Sequence, residues 1–241
     1  QIDVAFPDER RQAQVGDTYA LRANAAKESL VKLVRHTCQR LLATLRKIDV
    51  AREATVRAQF DEAALFGAKD ERDEFHLTAT ERAARLQATV RAALACARLV
   101  RAHLDVPVSL TPEQRTPLLA WLAYLDKIIA DEALVVPTEN PATPQVTERP
   151  ADHKGAYRLG SATDPDATYR VHSGDGTKTD FGYNVQIAAT ENFVREVQAE
   201  TGAQPDAVAI PDILHAEAEH HDLVPEKFIY DTAAGHGKTR A

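Results

Sequence analysis

Phe181-Gly182-Tyr183-Asn184-Val185-Gln186-Ile187-Ala188-Ala189 is the stretch from which the fold is read, together with Lys227-Phe228-Ile229-Tyr230-Asp231 further along the chain. In the first, Tyr183, Val185, Ile187 and Ala189 alternate with Asn184, Gln186 and Ala188, the period of two that sends successive side chains to opposite faces of a strand. Phe193 to Thr201 alternates through Val194 and Val197 and predicts a second strand. Asp206 to His221 has a helical pattern with Pro211 near its start, and Lys227 to Tyr230 is a short apolar strand closing on Asp231. Two strands, a helix and a strand ending in a carboxylate predict an α/β region over residues 181–241.

Upstream, residues 1–23 show no sustained period and read as an irregular N-terminal segment. Residues 24–133 read as helical. Leu30, Leu33, Val34, Cys38, Leu41, Leu45 and Ile48 recur at three and four, which specifies one buried helix face, while Lys32, Arg35, Arg40, Arg46 and Lys47 lie on its other side. A second helix is predicted from Val50 to Phe66, stopped by Gly67. Thr78-Ala79-Thr80-Glu81 starts a third, and Leu110-Thr111-Pro112-Glu113-Gln114 a fourth that runs to about Ala133, with proline at the first helical position where its missing N–H costs nothing. Pro137, Pro141, Pro144 and Pro150 then mark residues 134–180 as linker and loops, with turn clusters at Ser161–Ala167 and His172–Lys178. The fold class expected is mixed α+β: a helical bundle or arm, a proline-rich linker and part of an α/β domain.

The chain of 241 residues carries 29 Lys+Arg against 36 Asp+Glu, a net charge of −7 that argues against a general nucleic-acid binder. The acidity is concentrated: residues 151–241 hold 8 Lys+Arg against 15 Asp+Glu, and the rest of the chain is neutral. No run reaches the roughly 18 apolar residues of a membrane span, and Gln1-Ile2-Asp3-Val4 lacks a secretion signal, so a cytoplasmic protein is expected. Cys38 and Cys96 stand far apart without CxxC spacing and read as buried thiols. Methionine is absent from the chain, which therefore reads as a fragment.

The series Thr163-Asp164-Pro165-Asp166-Ala167, then Lys178-Thr179-Asp180-Phe181-Gly182-Tyr183-Asn184-Val185-Gln186, then Tyr230-Asp231, resembles the linker and first half of the catalytic domain of DDE-type insertion-sequence transposases, over about residues 147–241. The resemblance implies an RNase H-like fold in which two Asp and one Glu hold two Mg²⁺ (or Mn²⁺) ions, with transposon-end DNA as partner and a dimeric or higher assembly of the intact enzyme. Two such ions activate an oxygen nucleophile and stabilise the leaving oxygen of a phosphodiester, and hard Mg²⁺ prefers carboxylate oxygen. It assigns Asp231 as the second catalytic carboxylate and metal ligand. The position of the first is occupied by Thr190. Three possibilities stay open there: a bulge brings in the adjacent Glu191, another residue such as Asp180 substitutes, or the copy is inactive. The final Glu would lie beyond Ala241, which makes the chain incomplete as a catalyst. A non-catalytic, transposase-derived DNA-binding or interaction protein is the alternative, and a P-loop-like nucleotide-binding protein using Gly235 to Thr239 is a further one.

Three further features compete for attention. Thr232 to Thr239 resembles a P-loop but has Thr232 where its first glycine belongs, so Lys238 is assigned instead, with Lys178, to DNA phosphate contact. His215, Glu219, His220, His221 and Asp222 cluster without the HExxH order of a zinc site and read as a solvated helix end. Arg91, Arg98 and Arg101 could follow phosphates or form ion pairs on a solvated face.

Overall fold

The computed structural model describes residues 2–105, 110–171 and 179–230. The chain is mixed α+β and divides into two compact units, one made of Gln1–Asn24 with Asp166–Ala241 and the other of Ala25–Pro165. In sequence, the helical unit is therefore inserted into the sheet unit.

The sheet unit opens with a short helix α1 (Ile2–Ala5), a 3-10 turn at Pro7–Arg11 and the strand β1 (Gln14–Arg22). In the helical unit, α2 (Leu30–Ile48) starts where the Ser29 side chain accepts from the Lys32 N–H, and it buries Val31, Leu33, Val34, Cys38, Leu41, Leu42 and Leu45. The expected second helix is two. α3 (Val50–Arg57) is capped by Asp49 and α4 (Glu62–Phe66) by Asp61, each carboxylate accepting a backbone N–H three residues on. A strong cap in the middle of an apolar pattern restarts the helix rather than continuing it. Gly67 ends α4 at φ 85°, in the left-handed region that favours glycine. α5 (Ala79–Asp105) begins at the reciprocal Thr78–Glu81 pair and α6 (Pro112–Glu132) at the reciprocal Thr111–Gln114 pair, as the start signals require.

The proline-rich stretch is not a bare linker. β2 (Ala133–Val136) and β3 (Gln145–Glu148) pair antiparallel, with Pro137, Pro141 and Pro144 confined to the loop between them, where no ladder N–H is needed. Val146 is buried in the same core as α2, α5 and α6, and Arg91 of α5 donates to the Pro144 carbonyl at 2.7 Å. Residues 134–165 thus belong to the helical unit.

β4 (Thr168–Val171), β5 (Thr179–Ala189), β6 (Val194–Thr201), α7 (Asp206–His221) and β7 (Phe228–Ile229) complete the sheet unit. β5 pairs antiparallel with β6 over Tyr183–Ala189 and with β4 through Gly182–Thr179. Its opposite edge pairs antiparallel with β1, and β7 lies parallel on the far side of β1, with Val15 opposite Ile229. The segment expected to be irregular therefore supplies the strand between β5 and β7. Its alternation is inverted in polarity: Gln14 and Gly16 are buried, whereas Val15, Tyr19 and Leu21 are exposed. Gly182, the glycine of the F-G-Y motif, lies opposite both Arg22 and Thr168, and a Cβ there would come within 2.1 Å of the Leu21 carbonyl oxygen.

Below the sheet the core is polar as well as apolar. Ile210 and Ile213 of α7 are buried beside Glu217, which accepts from the Gln14 amide at 2.6 Å. Arg195 of β6 lies 2.7 Å from Asp3 and 3.6 Å from Glu217, so a buried guanidinium is neutralised by carboxylates from both ends of the unit. The Arg195 guanidinium holds the Asp3 carboxyl below the usual carboxylate range, and Asp3 in turn raises Arg195.

Candidate functional site

The β5–β6 turn is where the sequence leaves the first carboxylate open. The Thr190 N–H donates to the Phe193 carbonyl at 2.9 Å and the Phe193 N–H to Thr190 Oγ1 at 3.1 Å, closing the turn. Thr190 is buried, and its hydroxyl donates to Glu9 Oε2 at 2.5 Å. Asn192 and Gln12 donate to the other Glu9 oxygen at 2.7 and 3.1 Å. The carboxylate engaged by this turn is thus Glu9, held by side-chain donors that order the N-terminal segment. Glu191 is exposed at the second position of the turn. A register shift does occur nearby, between Ala188 and Ala189, but it lies before Thr190.

Asp180 sits near the other end of β5, opposite Arg170 of β4. Nine residues of strand, about 30 Å, separate it from Ala189, so it cannot share a site with the turn. Asp231, Lys178 and Lys238 lie outside the described residues, as does the P-loop-like stretch Thr232–Thr239.

Sequence reasoning passed over one acidic residue, Asp17. It stands on β1, exposed, opposite Ile187 of the antiparallel β5 and two residues past the Val15 that pairs with β7, and its carboxylate accepts the Thr18 N–H at 2.8 Å. The signal that could have found it is the alternation Gln14 to Leu21, overlooked because the apolar residues take the exposed positions. The parallel register pairs Val15 with Ile229. Asp17 is two residues beyond Val15, and Asp231 is two residues beyond Ile229. Exposed carboxylate oxygen suits a hard divalent cation. Among the described residues, however, no group of three or more His, Cys, Asp or Glu side chains is arranged to hold a metal.

The histidine cluster at the end of α7 is turned to another use. His220 Nδ1 and His221 Nε2 lie 3.1 and 3.4 Å from Glu196 Oε2 of β6, tying the helix end to the sheet edge. Asp222 takes a left-handed conformation at the α7 C-terminus, and its carbonyl accepts from Arg10 at 2.5 Å. Of the three arginines considered on α5, Arg91 donates to the carbonyls of Pro144 and Thr143 and Arg101 pairs with Asp126 at 2.5 Å, which leaves Arg98 exposed. Among the described residues no helix is long and apolar enough to cross a membrane. Comparison with models of known protein families, with curated proteins and with solved structures finds no match to this chain.

Proposed function

We propose that this chain is part of a DDE-type transposase, acting on transposon-end DNA through an RNase H-like domain, and that Asp17 is the first carboxylate of its metal site with Asp231 the second. The reading rests on one observation: β1 and β7 run parallel with Val15 opposite Ile229, and Asp17 and Asp231 each follow their paired residue by two positions in the chain. Neighbouring parallel strands lie about 4.8 Å apart, a spacing at which carboxylates on one face can share divalent cations.

On this reading Thr190 is no relic of a lost catalytic residue. It is a turn residue whose hydroxyl fixes Glu9. Asp17 would hold Mg²⁺ or Mn²⁺ jointly with Asp231, and the ions would supply an activated nucleophilic oxygen and charge stabilisation for the leaving oxygen. The exposed side of Asp17 leaves room for a phosphodiester to approach, while the Thr18 N–H bonded to its Oδ1 holds that oxygen in place.

The test is Mn²⁺ binding followed by electron paramagnetic resonance, for the wild-type chain and for Asp17→Asn, Asp231→Asn and Glu191→Gln. Loss of bound Mn²⁺ in the first two and retention in the third is expected. Retention in Asp17→Asn with loss in Glu191→Gln would return the first carboxylate to the β5–β6 turn. Stabilisation of the chain by ATP would favour the nucleotide-binding reading of Gly235 to Thr239 instead.

A further inference from the structure

We propose that the outward face of α2 is a docking surface for duplex DNA, with Lys32, Arg40, Arg46 and Lys47 contacting the phosphate backbone. The proposal deepens the DNA reading given above and rests on it.

α2 contains five Lys or Arg residues and no Asp or Glu between Leu30 and Ile48. One of the five, Arg35, is consumed by the bidentate pair with Glu71. The other four are exposed, and among the described residues none of their side chains has an ion pair or hydrogen bond. This is unusual for the helical unit, where arginines and lysines are otherwise mostly spent on the chain's own carboxylates and carbonyls: Arg52 on Asp49, Arg57 on Glu53 and Glu62, Lys154 on Glu132 and Glu148, and Arg115 on the Leu104 carbonyl.

Position along the helix separates this pattern from an ordinary solvated face. Cations in a last turn are favoured by the helix dipole, which accounts for Arg46 and Lys47. Lys32 has no such account, because it stands three residues after the Ser29 cap, in the first turn, where the dipole disfavours a cation and which itself holds no Asp or Glu, the nearby Glu28 being engaged by His36. At 100° per residue the four cations fall within about 120° of arc around the helix, and from Lys32 to Lys47 they extend about 22 Å. That length matches the axial rise of about six base pairs, one phosphate per 3.4 Å on each strand. The face between them carries His36, Gln39 and Ala43, and the one ring there, His36, lies 2.9 Å from the Glu28 carboxylate, so what the face offers freely is cationic charge suited to backbone contact. The opposite face of α2 is locked into the core by Leu41, Leu42 and Leu45, all at or below 1% exposure, so the cations are displayed on a rigid support.

The test uses the whole 241-residue chain and a fluorescein-labelled DNA duplex, with anisotropy titrations from low to moderate salt. Arg40→Gln/Arg46→Gln should lower the slope of log affinity against log salt by about 1.8, from two lost phosphate contacts at about 0.9 each. Lys69→Gln/Arg98→Gln removes the same charge from exposed positions off the face and should leave the slope within about 0.5 of wild type. Circular dichroism of each variant guards against misfolding. Equal slopes for wild type and the α2 variant would overturn the assignment of this face while the DNA reading stands. No binding of duplex by the wild-type chain at low salt would overturn both. Tighter binding to single-stranded RNA or to anionic lipid vesicles than to duplex would overturn the choice of partner.

Discussion

The helices of one unit are announced locally and share an apolar core, whereas the sheet of the other is tied by polar contacts between distant segments. In the first, each helix carries its own start signal and its own apolar face, although the core is closed chiefly by α2 against the distant α6 and α5. In the second, Gln14 and the Glu217 that accepts from it are 203 residues apart in the chain, and β1 has no strand partner among the residues near it in sequence. The cost of that arrangement is a large loop closure, and the gain is that a polar residue pair can be specified with no competing local partner. The contrast teaches that the sheet unit depends on single buried polar contacts where the helical unit relies on a shared apolar core.

The largest way to break the comparison is to remove residues 1–24. The sheet unit then loses the strand between β5 and β7, and with it Asp3, Glu9 and Gln14. Amide hydrogen exchange should lose its protection over residues 182–229 and keep it over residues 30–132. Protection retained in both would mean that β1 is a peripheral strand.

A point change aims at the same dependence. Arg195→Ala leaves the fully buried Glu217 without its guanidinium, and an uncompensated buried charge costs about 3–5 kcal/mol. Urea unfolding followed by exchange protection of β5 and β6 should move by that amount. The matching change in the helical unit, Leu41→Ala, deletes a side chain of 0% exposure and costs about 2–5 kcal/mol through lost burial and a cavity. Trp121, the one tryptophan of the chain, lies on α6 and packs against Tyr124, so its fluorescence reads the helical unit alone. If Arg195→Ala shifts the Trp121 transition as much as Leu41→Ala does, the two units unfold together and the contrast fails.

Thr190→Val is a smaller and more specific probe. It keeps the shape and removes the donor to Glu9 Oε2, at a cost of about 1.5–3 kcal/mol for a hydrogen bond to a charged group. Thr190→Asp places a second carboxylate against Glu9 and should cost no less, whereas a strand end merely lacking its catalytic residue would accept it.

The legible parts of the sequence were those in which one residue's neighbours are its contacts. Thr78 and Thr111 announce helices because their caps act within three residues, and the apolar spacing of α2 appears intact in its buried face. β5 was legible from its own alternation. β1 was not, because its buried positions hold Gln14 and Gly16 and its exposed ones hold Val15, Tyr19 and Leu21, which inverts the usual pattern. What decides burial there is the pairing of Gln14 with Glu217 and the approach of the Phe228 and Tyr230 rings to Gly16, neither of which has a local trace. The same inversion hid Asp17. The prolines at 137, 141 and 144 misled for the complementary reason: their positions relative to β2 and β3 are harmless only once the hairpin is known.

The smallest effect tests whether the helical unit has even one long-range electrostatic tie of comparable kind. Glu71 accepts from Arg35 at 2.5 and 2.9 Å and lies 3.2 Å from Arg85, joining α2 and α5 through the loop between α4 and α5. The Arg35 guanidinium, with Arg85 adding to it, holds the Glu71 carboxyl below its ordinary value of 4.5. A carboxylate depressed in the folded state contributes stability that is present above that ordinary value and is lost as pH falls through the folded one. Glu71→Gln should therefore melt below wild type at pH 7, read by Trp121 fluorescence, and the gap should narrow as the buffer is taken from pH 4.5 toward pH 3. A gap that stays constant across that window would mean that Glu71 acts by shape and hydrogen bonding alone, and that the helical unit owes its stability to apolar packing without help from distant charge.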